Sequence, residues 1–114
     1  MKSVTHIRPW GSFIEFTKNE LSTVKILIVN PGEELSLQYH KNREEFWHVL
    51  FGTPTIIIGN KEFTAQSGDE FIVKKGETHR IRAKYTEVRI LEISFGRFSE
   101  DDIVRIEDTY GRTH

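Results

Sequence analysis

The apolar positions of this chain fall in short β-branched or aromatic runs rather than in helical stripes, and Gly, Pro, Asn or Asp separates most of them. The pattern predicts strands near 12–17, 23–29, 34–40, 45–51, 54–58, 61–65, 70–74, 79–84 and 87–95. Pro31-Gly32 marks a turn, and Gly59-Asn60 between Ile58 and Glu62 reads as a tight hairpin. Ser67-Gly68-Asp69 and Lys75-Gly76-Glu77 punctuate the second half. Only the tail reads as helical: Ser99, followed by Glu100, Asp101 and Asp102, is an N-cap with an acidic first turn leading into Ile103-Val104-Arg105-Ile106. So many short strands at close spacing predict an all-β sandwich or barrel, of which the jelly roll is one form, here with a short C-terminal helix and built as one domain over 1–114.

Composition narrows the function classes. The formal charge of −1 offers no electrostatic case for nucleic acid or an acidic membrane surface. With no cysteine, disulfides, thiolate zinc sites and thiol nucleophiles are excluded together, and a reducing compartment fits. No apolar run approaches the ~20 residues of a membrane helix, so a soluble, cytoplasmic protein is expected.

The chemistry concentrates between Gly32 and Gly52. On a strand, residues two apart share a face, so Gln38 and His40 project together, while Leu35, Leu37 and Tyr39 take the other face. Polar groups facing a barrel interior are costly unless paired, and a cation is one way to pair them. Glu45 opens the next strand after the charged turn Lys41-Asn42-Arg43-Glu44, and His79 opens a later one after Gly76-Glu77-Thr78. Two imidazoles, a carboxylate and an amide oxygen suit one borderline divalent ion, with room left for substrate oxygens. Zinc stands ahead of iron, manganese, cobalt and nickel, all of which accept such ligands.

Gly32, His40, Glu45 and Gly52 follow the first cupin motif in order and spacing, and Gly68, Gly76 and His79 follow the second. Gln38 stands where that motif has the first histidine of a pair, and Lys74 where the second has proline. Leu35-Ser36-Leu37-Gln38-Tyr39-His40, with Arg43, Glu45 and Trp47, resembles the cupin domain of type II mannose-6-phosphate isomerases. Arg8-Pro9-Trp10-Gly11-Ser12, Val29-Asn30-Pro31-Gly32, Gly76-Glu77-Thr78-His79-Arg80 and the stretch from Glu100 to Arg112 are similar to the same family, so the resemblance runs through almost the whole chain. Lys41 and Asn42 replace the family's histidine run after the first ligand.

The resemblance implies a metal-dependent isomerase that interconverts mannose 6-phosphate and fructose 6-phosphate through an enediol. The nucleotidyltransferase that precedes this domain in many relatives is absent from the sequence, so guanylyl transfer is not carried over. The proton shuttle needs a general base, for which Lys25 and Glu92 are candidates against the plainer reading of solvated or ion-paired charges. Arg8, Arg43, Arg80, Arg105 and Arg112 are candidates for the substrate phosphate, since an arginine fork matches phosphate oxygens. Arg80 directly follows a ligand, so alternation turns it outward, and Arg105 and Arg112 depend on the expected helix crossing the barrel mouth. Trp47 shares the face of Glu45 as a pocket wall. Two other readings stay open: a non-catalytic metal-binding module that holds a sugar or sugar phosphate, and another metal-dependent cupin enzyme such as a dioxygenase. A homodimer is expected, with the segment before Trp10 contributing to its interface.

Overall fold

A computed structural model describes residues 3–111. Eleven strands form three sheets among these residues. β1 (Val4–Arg8) and β2 (Gly11–Glu15) pair only with each other, as a hairpin turning at Pro9-Trp10. A four-stranded sheet has the order β3 (Ser22–Val29), β10 (Val88–Phe95), β5 (Glu45–Phe51), β8 (Glu70–Val73). A five-stranded sheet has the order β11 (Val104–Glu107), β4 (Leu37–Tyr39), β9 (His79–Arg82), β6 (Thr55–Ile58), β7 (Lys61–Thr64). All pairings are antiparallel.

The sequence pattern and the two sheets agree because alternate residues line one interior. Trp47 and Val49 from β5, Ile90 from β10, Ile56 from β6 and Ile81 from β9 are fully buried in one cluster. At the Gly59-Asn60 turn, Gly59 adopts φ +58°, which lets Ile58 pair Lys61 across a two-residue loop. Gly52 has a stricter role. It takes φ +85°, and an added Cβ would stand 2.3 Å from the Glu87 carbonyl oxygen, so only glycine lets the end of β5 pass this close to the start of β10.

The expected C-terminal helix is a correction: among the described residues there is no helix, and Val104–Glu107 is strand β11, paired with β4. The Ser99 hydroxyl does accept a bond from the Asp101 amide, as a cap would. Asp102, however, is engaged by the barrel: its carboxylate accepts the amides of Lys41 (2.8 Å) and Asn42 (3.0 Å). That anchor aims Val104 and Ile106, which favour strands, along the free edge of β4. β1 is the other element missed, since Val4–Arg8 is too exposed to show an apolar face. Among the described residues no helix is long and apolar enough to cross a membrane.

Candidate metal centre

Strand register builds the site as rows of facing side chains. On the inner face of the five-stranded sheet, Arg105, Gln38, His79 and Ile58 lie side by side across β11, β4, β9 and β6. On the inner face of the other sheet, one row runs Thr23, Ser94, Glu45, Val73 and the next runs Lys25, Glu92, Trp47, Phe71. His40 follows β4 two residues beyond Gln38 and joins the same interior.

These rows bring His40, Glu45 and His79 together with ligand atoms within 4.8 Å of one another, at 2 %, 1 % and 1 % exposure. Each imidazole is oriented by its own backbone partner. His40 Nδ1–H donates to the Asp102 carbonyl at 2.6 Å, and His79 Nδ1–H to the Glu77 carbonyl at 3.0 Å. Both Nε2 lone pairs are therefore directed toward Glu45, at 3.4 Å for His40 and 3.8 Å for His79. Burial holds both imidazoles below their ordinary pKa, against the opposing pull of the Glu45 charge, so they are neutral at pH 7. Burial pushes the Glu45 carboxyl up, but His79, His40 and the Arg43 hydrogen bond outweigh it and the net shift is downward. Neutral imidazole beside ionised carboxylate is the protonation state a cation requires.

Gln38 lies beside these three. Its Nε2 is 3.5 Å from His79 Nε2, and its Oε1 accepts the Ser36 hydroxyl at 2.6 Å. A half-turn about the last side-chain bond exchanges the two ends of the amide and offers the oxygen, the end that ligates cations, to the His79 side. The donors present thus fit one divalent ion of borderline softness.

Around the cluster, Glu45 is held from several sides. Arg43 Nε donates to it at 2.9 Å, the Trp47 indole at 3.2 Å and the Ser94 hydroxyl at 3.5 Å. Trp47 meets the His79 ring edge-on, with ring centroids 5.4 Å apart. Arg43 also donates to the Ser99 carbonyl, and its Nη2 lies 3.3 Å from His40 Nε2, a lone pair it must yield when a cation binds. Glu92, one row from Glu45, is buried, and desolvation together with the Glu45 charge pushes its carboxyl up to about 8.

The remaining candidates separate. Lys25 stands opposite Glu92 on β3, but its ammonium is 3.5 Å from Glu100 and over the Phe98 ring. Arg105 does reach the interior row, by β pairing rather than on a helix, and its Nε is buried with no partner among the described residues. Arg80 is outward-facing as alternation requires, yet only 4 % exposed, because the tail covers it. It donates to the Leu35 and Glu107 carbonyls and to the Glu107 carboxylate, and is not at the cluster. Within one chain Arg8 is also elsewhere, on the β1–β2 hairpin with its guanidinium over Phe13. Arg112 lies outside the described residues. Sequence reading missed Ser94 and Asp102. Alternation from Glu92 could have found the first, whereas nothing local marks the second.

Comparison with known proteins places these features in a family. The family model described as mannose-6-phosphate isomerase C-terminal matches residues 2–108. The xanthan biosynthesis protein XanB of Xanthomonas campestris is 37% identical over 108 residues, covering 93% of this chain and 23% of that protein. Mannose-1-phosphate guanylyltransferase 2 of Escherichia coli O157:H7 is 34% identical over 105 residues, covering 90% and 22%. The chain therefore spans about a quarter of the length of these relatives. Among solved structures, a Klebsiella pneumoniae protein with a double-stranded beta-helix domain superposes with a TM-score of 0.67 at 20% identity, covering 82% of this chain and 80% of that one, which supports the jelly-roll fold.

Proposed function

This chain belongs to the mannose-6-phosphate isomerase C-terminal family of cupins, and on that premise we propose that it is a cytoplasmic, metal-dependent aldose–ketose isomerase interconverting mannose 6-phosphate and fructose 6-phosphate. The observation that carries the reading is the buried His40–Glu45–His79 cluster, with both Nε2 atoms preset toward Glu45 and Arg105 in the same row as His79. Zinc suits two imidazoles and a carboxylate, and when bound a divalent ion polarises the carbonyl oxygen of an open-chain sugar. The chain's own groups supply the rest. Arg43 and Arg80 are taken up by Glu45 and Glu107, which leaves Arg105 as the guanidinium for the substrate phosphate. Glu92 projects from the row beside Glu45 and is the better placed of the two candidate bases, since Lys25 is turned to Glu100 and Phe98. In its ionised form, the minor one at pH 7 for a carboxyl held at about 8, Glu92 would carry the proton between the two adjacent carbons. Trp47 seals the interior behind His79 against water.

The test is turnover of mannose 6-phosphate by metal-stripped protein resupplied with single divalent ions, beside His40→Ala and Glu92→Gln. The proposal requires metal-dependent turnover that is lost in both variants, with metal binding lost only in His40→Ala. Metal binding by the wild type without turnover would replace the isomerase with a sugar-phosphate-binding module. That second reading has one observation behind it: Lys41 and Asn42, in place of the family's histidines, have their amides tied to Asp102.

A further inference from the structure

His40, Glu45 and His79 are closed off from solvent, and Arg43 and Glu92 beside them are buried as well. One hollow of about 910 Å³ is bordered by Ile58, Phe63 and Phe71, and another of about 490 Å³ by Leu50 and Phe51; neither is lined by any of these five residues. A sugar phosphate therefore reaches the cluster only if part of the chain moves aside.

The chain between β10 and β11, residues 96–103, passes over His40, Arg43 and Lys25 without a strand partner. Its two ends are tied through the backbone. The Gly96 amide donates to the Leu21 carbonyl at 3.0 Å, and at the other end Asp102 holds the amides of Lys41 and Asn42 and the His40 ring. The middle is fastened by two side chains. Arg43 Nη1 donates to the Ser99 carbonyl at 3.1 Å, and the same guanidinium lies 4.6 Å from the centroid of the Phe98 ring. Lys25 lies 4.2 Å from that centroid, with its ammonium 3.5 Å from Glu100. Glu100 is 81 % exposed, so its ion pair holds weakly, and Arg43 is the principal fastening.

We propose that Arg43 is the latch of a metal-operated gate. In the present arrangement it holds Phe98 and Ser99 over the site; when a divalent ion takes the His40 Nε2 lone pair, the guanidinium withdraws and residues 97–101 lift to admit substrate. The proposal rests on the metal reading of the cluster and not on the isomerase. One rigid, planar group joins the two places: Nε is on Glu45 at 2.9 Å, Nη2 is 3.3 Å from His40 Nε2, and Nη1 and the ring face hold the segment above. A shift at one nitrogen therefore moves the others. A cation on His40 Nε2 removes the lone pair to which Nη2–H donates, and sets a like charge beside the guanidinium where water is excluded and repulsion is strong. Asp102 stays in place, because its carbonyl binds Nδ1, the nitrogen the ion does not use. Opening is thus confined to the stretch between Gly96 and Asp102, and it uncovers the row of Lys25 and Glu92 next to the cluster.

Chymotrypsin digestion of the full chain tests this, because Phe98 is half-buried under the clasp, while Trp10 and Tyr85 lie on other loops at 73 % and 76 % exposure. Metal-stripped protein is digested with and without one equivalent of zinc chloride, and zinc uptake is measured separately by metal analysis after dialysis. Zinc should speed cleavage after Phe98 about tenfold, the loss expected when a charged hydrogen bond and a ring contact are released, with no rise after Trp10 or Tyr85. General stabilisation by a bound ion has the opposite sign and slows digestion throughout. Arg43→Met removes the latch, so Phe98 should be cut fast without zinc and gain little from it. His79→Gln weakens the hold on zinc without a bond to Arg43 or to the segment, and should keep the slow rate at the same zinc concentration. Circular dichroism verifies both variants, and the wild-type comparison decides alone if either fails to fold. Zinc uptake with cleavage after Phe98 unchanged or slowed would overturn the gate and leave the metal centre standing. No zinc uptake by the wild type would overturn both.

Discussion

Asp102 offers a direct probe of the candidate centre, because it acts on His40 from outside the ligand set. Its carboxylate holds the amides of Lys41 and Asn42 at 2.8 and 3.0 Å, and its carbonyl accepts His40 Nδ1–H at 2.6 Å. Asp102→Ala keeps the carbonyl but removes the two bonds that lock it over the turn after His40. Those bonds are solvent-exposed, so their loss should cost about 1–2 kcal/mol of folding stability in all. The larger consequence is for orientation, since partners that fix a ligating imidazole typically govern 10–100-fold in metal affinity. At 1.4 kcal/mol per tenfold, that is roughly 1.4–2.8 kcal/mol of binding free energy. Chelator competition on metal-stripped protein measures it, with urea denaturation of the same samples giving the stability change. Expected is a drop of one to two decades in affinity with the urea midpoint only modestly lowered. Affinity within twofold of wild type would show that the tail does not position His40 and would refute the reasoning.

Other consequences follow from particular contacts. Gly52→Ala places a methyl against the Glu87 carbonyl at a φ of +85°, so clash and backbone strain together should cost about 3 kcal/mol or more, read from the urea midpoint; a loss under ~1 kcal/mol would contradict the close approach. The clasp between Glu34 and the tail should be acid-sensitive. Burial pushes the Glu34 carboxyl up, but hydrogen bonds from Arg82 and Thr109 and the charges of Arg80 and Arg82 lower it below its ordinary 4.5. A lowered folded-state pKa contributes stability that is complete above 4.5 and is lost as the pH falls through the lower value. The stability gap between wild type and Glu34→Gln should therefore shrink on acidification over that window, and a gap unchanged from neutral to acid pH would argue against the ion pairs. Arg80→Met removes the donor to Glu107 and Leu35 while keeping bulk, so β11 should open first; hydrogen exchange should show reduced protection at 104–107 and little change in β5 and β10.

By itself the sequence determined most of the strands and the family. Nine of the elements were legible because their period-two pattern follows from which side chains face the interior, and that information is local. His40 of the buried cluster was legible for the same reason: it lies two residues beyond Gln38, and polar groups on an inward face require partners. The tertiary structure decided what sits beside what. Val104–Glu107 carries a capping signal for helix, yet it becomes a strand because Asp102 finds the amides of Lys41 and Asn42, some 60 residues earlier in the chain. The arginines show the same limit. All have the same fork, but pairing of β11 with β4 places Arg105 beside Gln38, while Arg80 is engaged by Glu107 and Arg8 stays on the hairpin. Long-range contacts of this kind depend on sheet order and register, and no window of sequence encodes those alone.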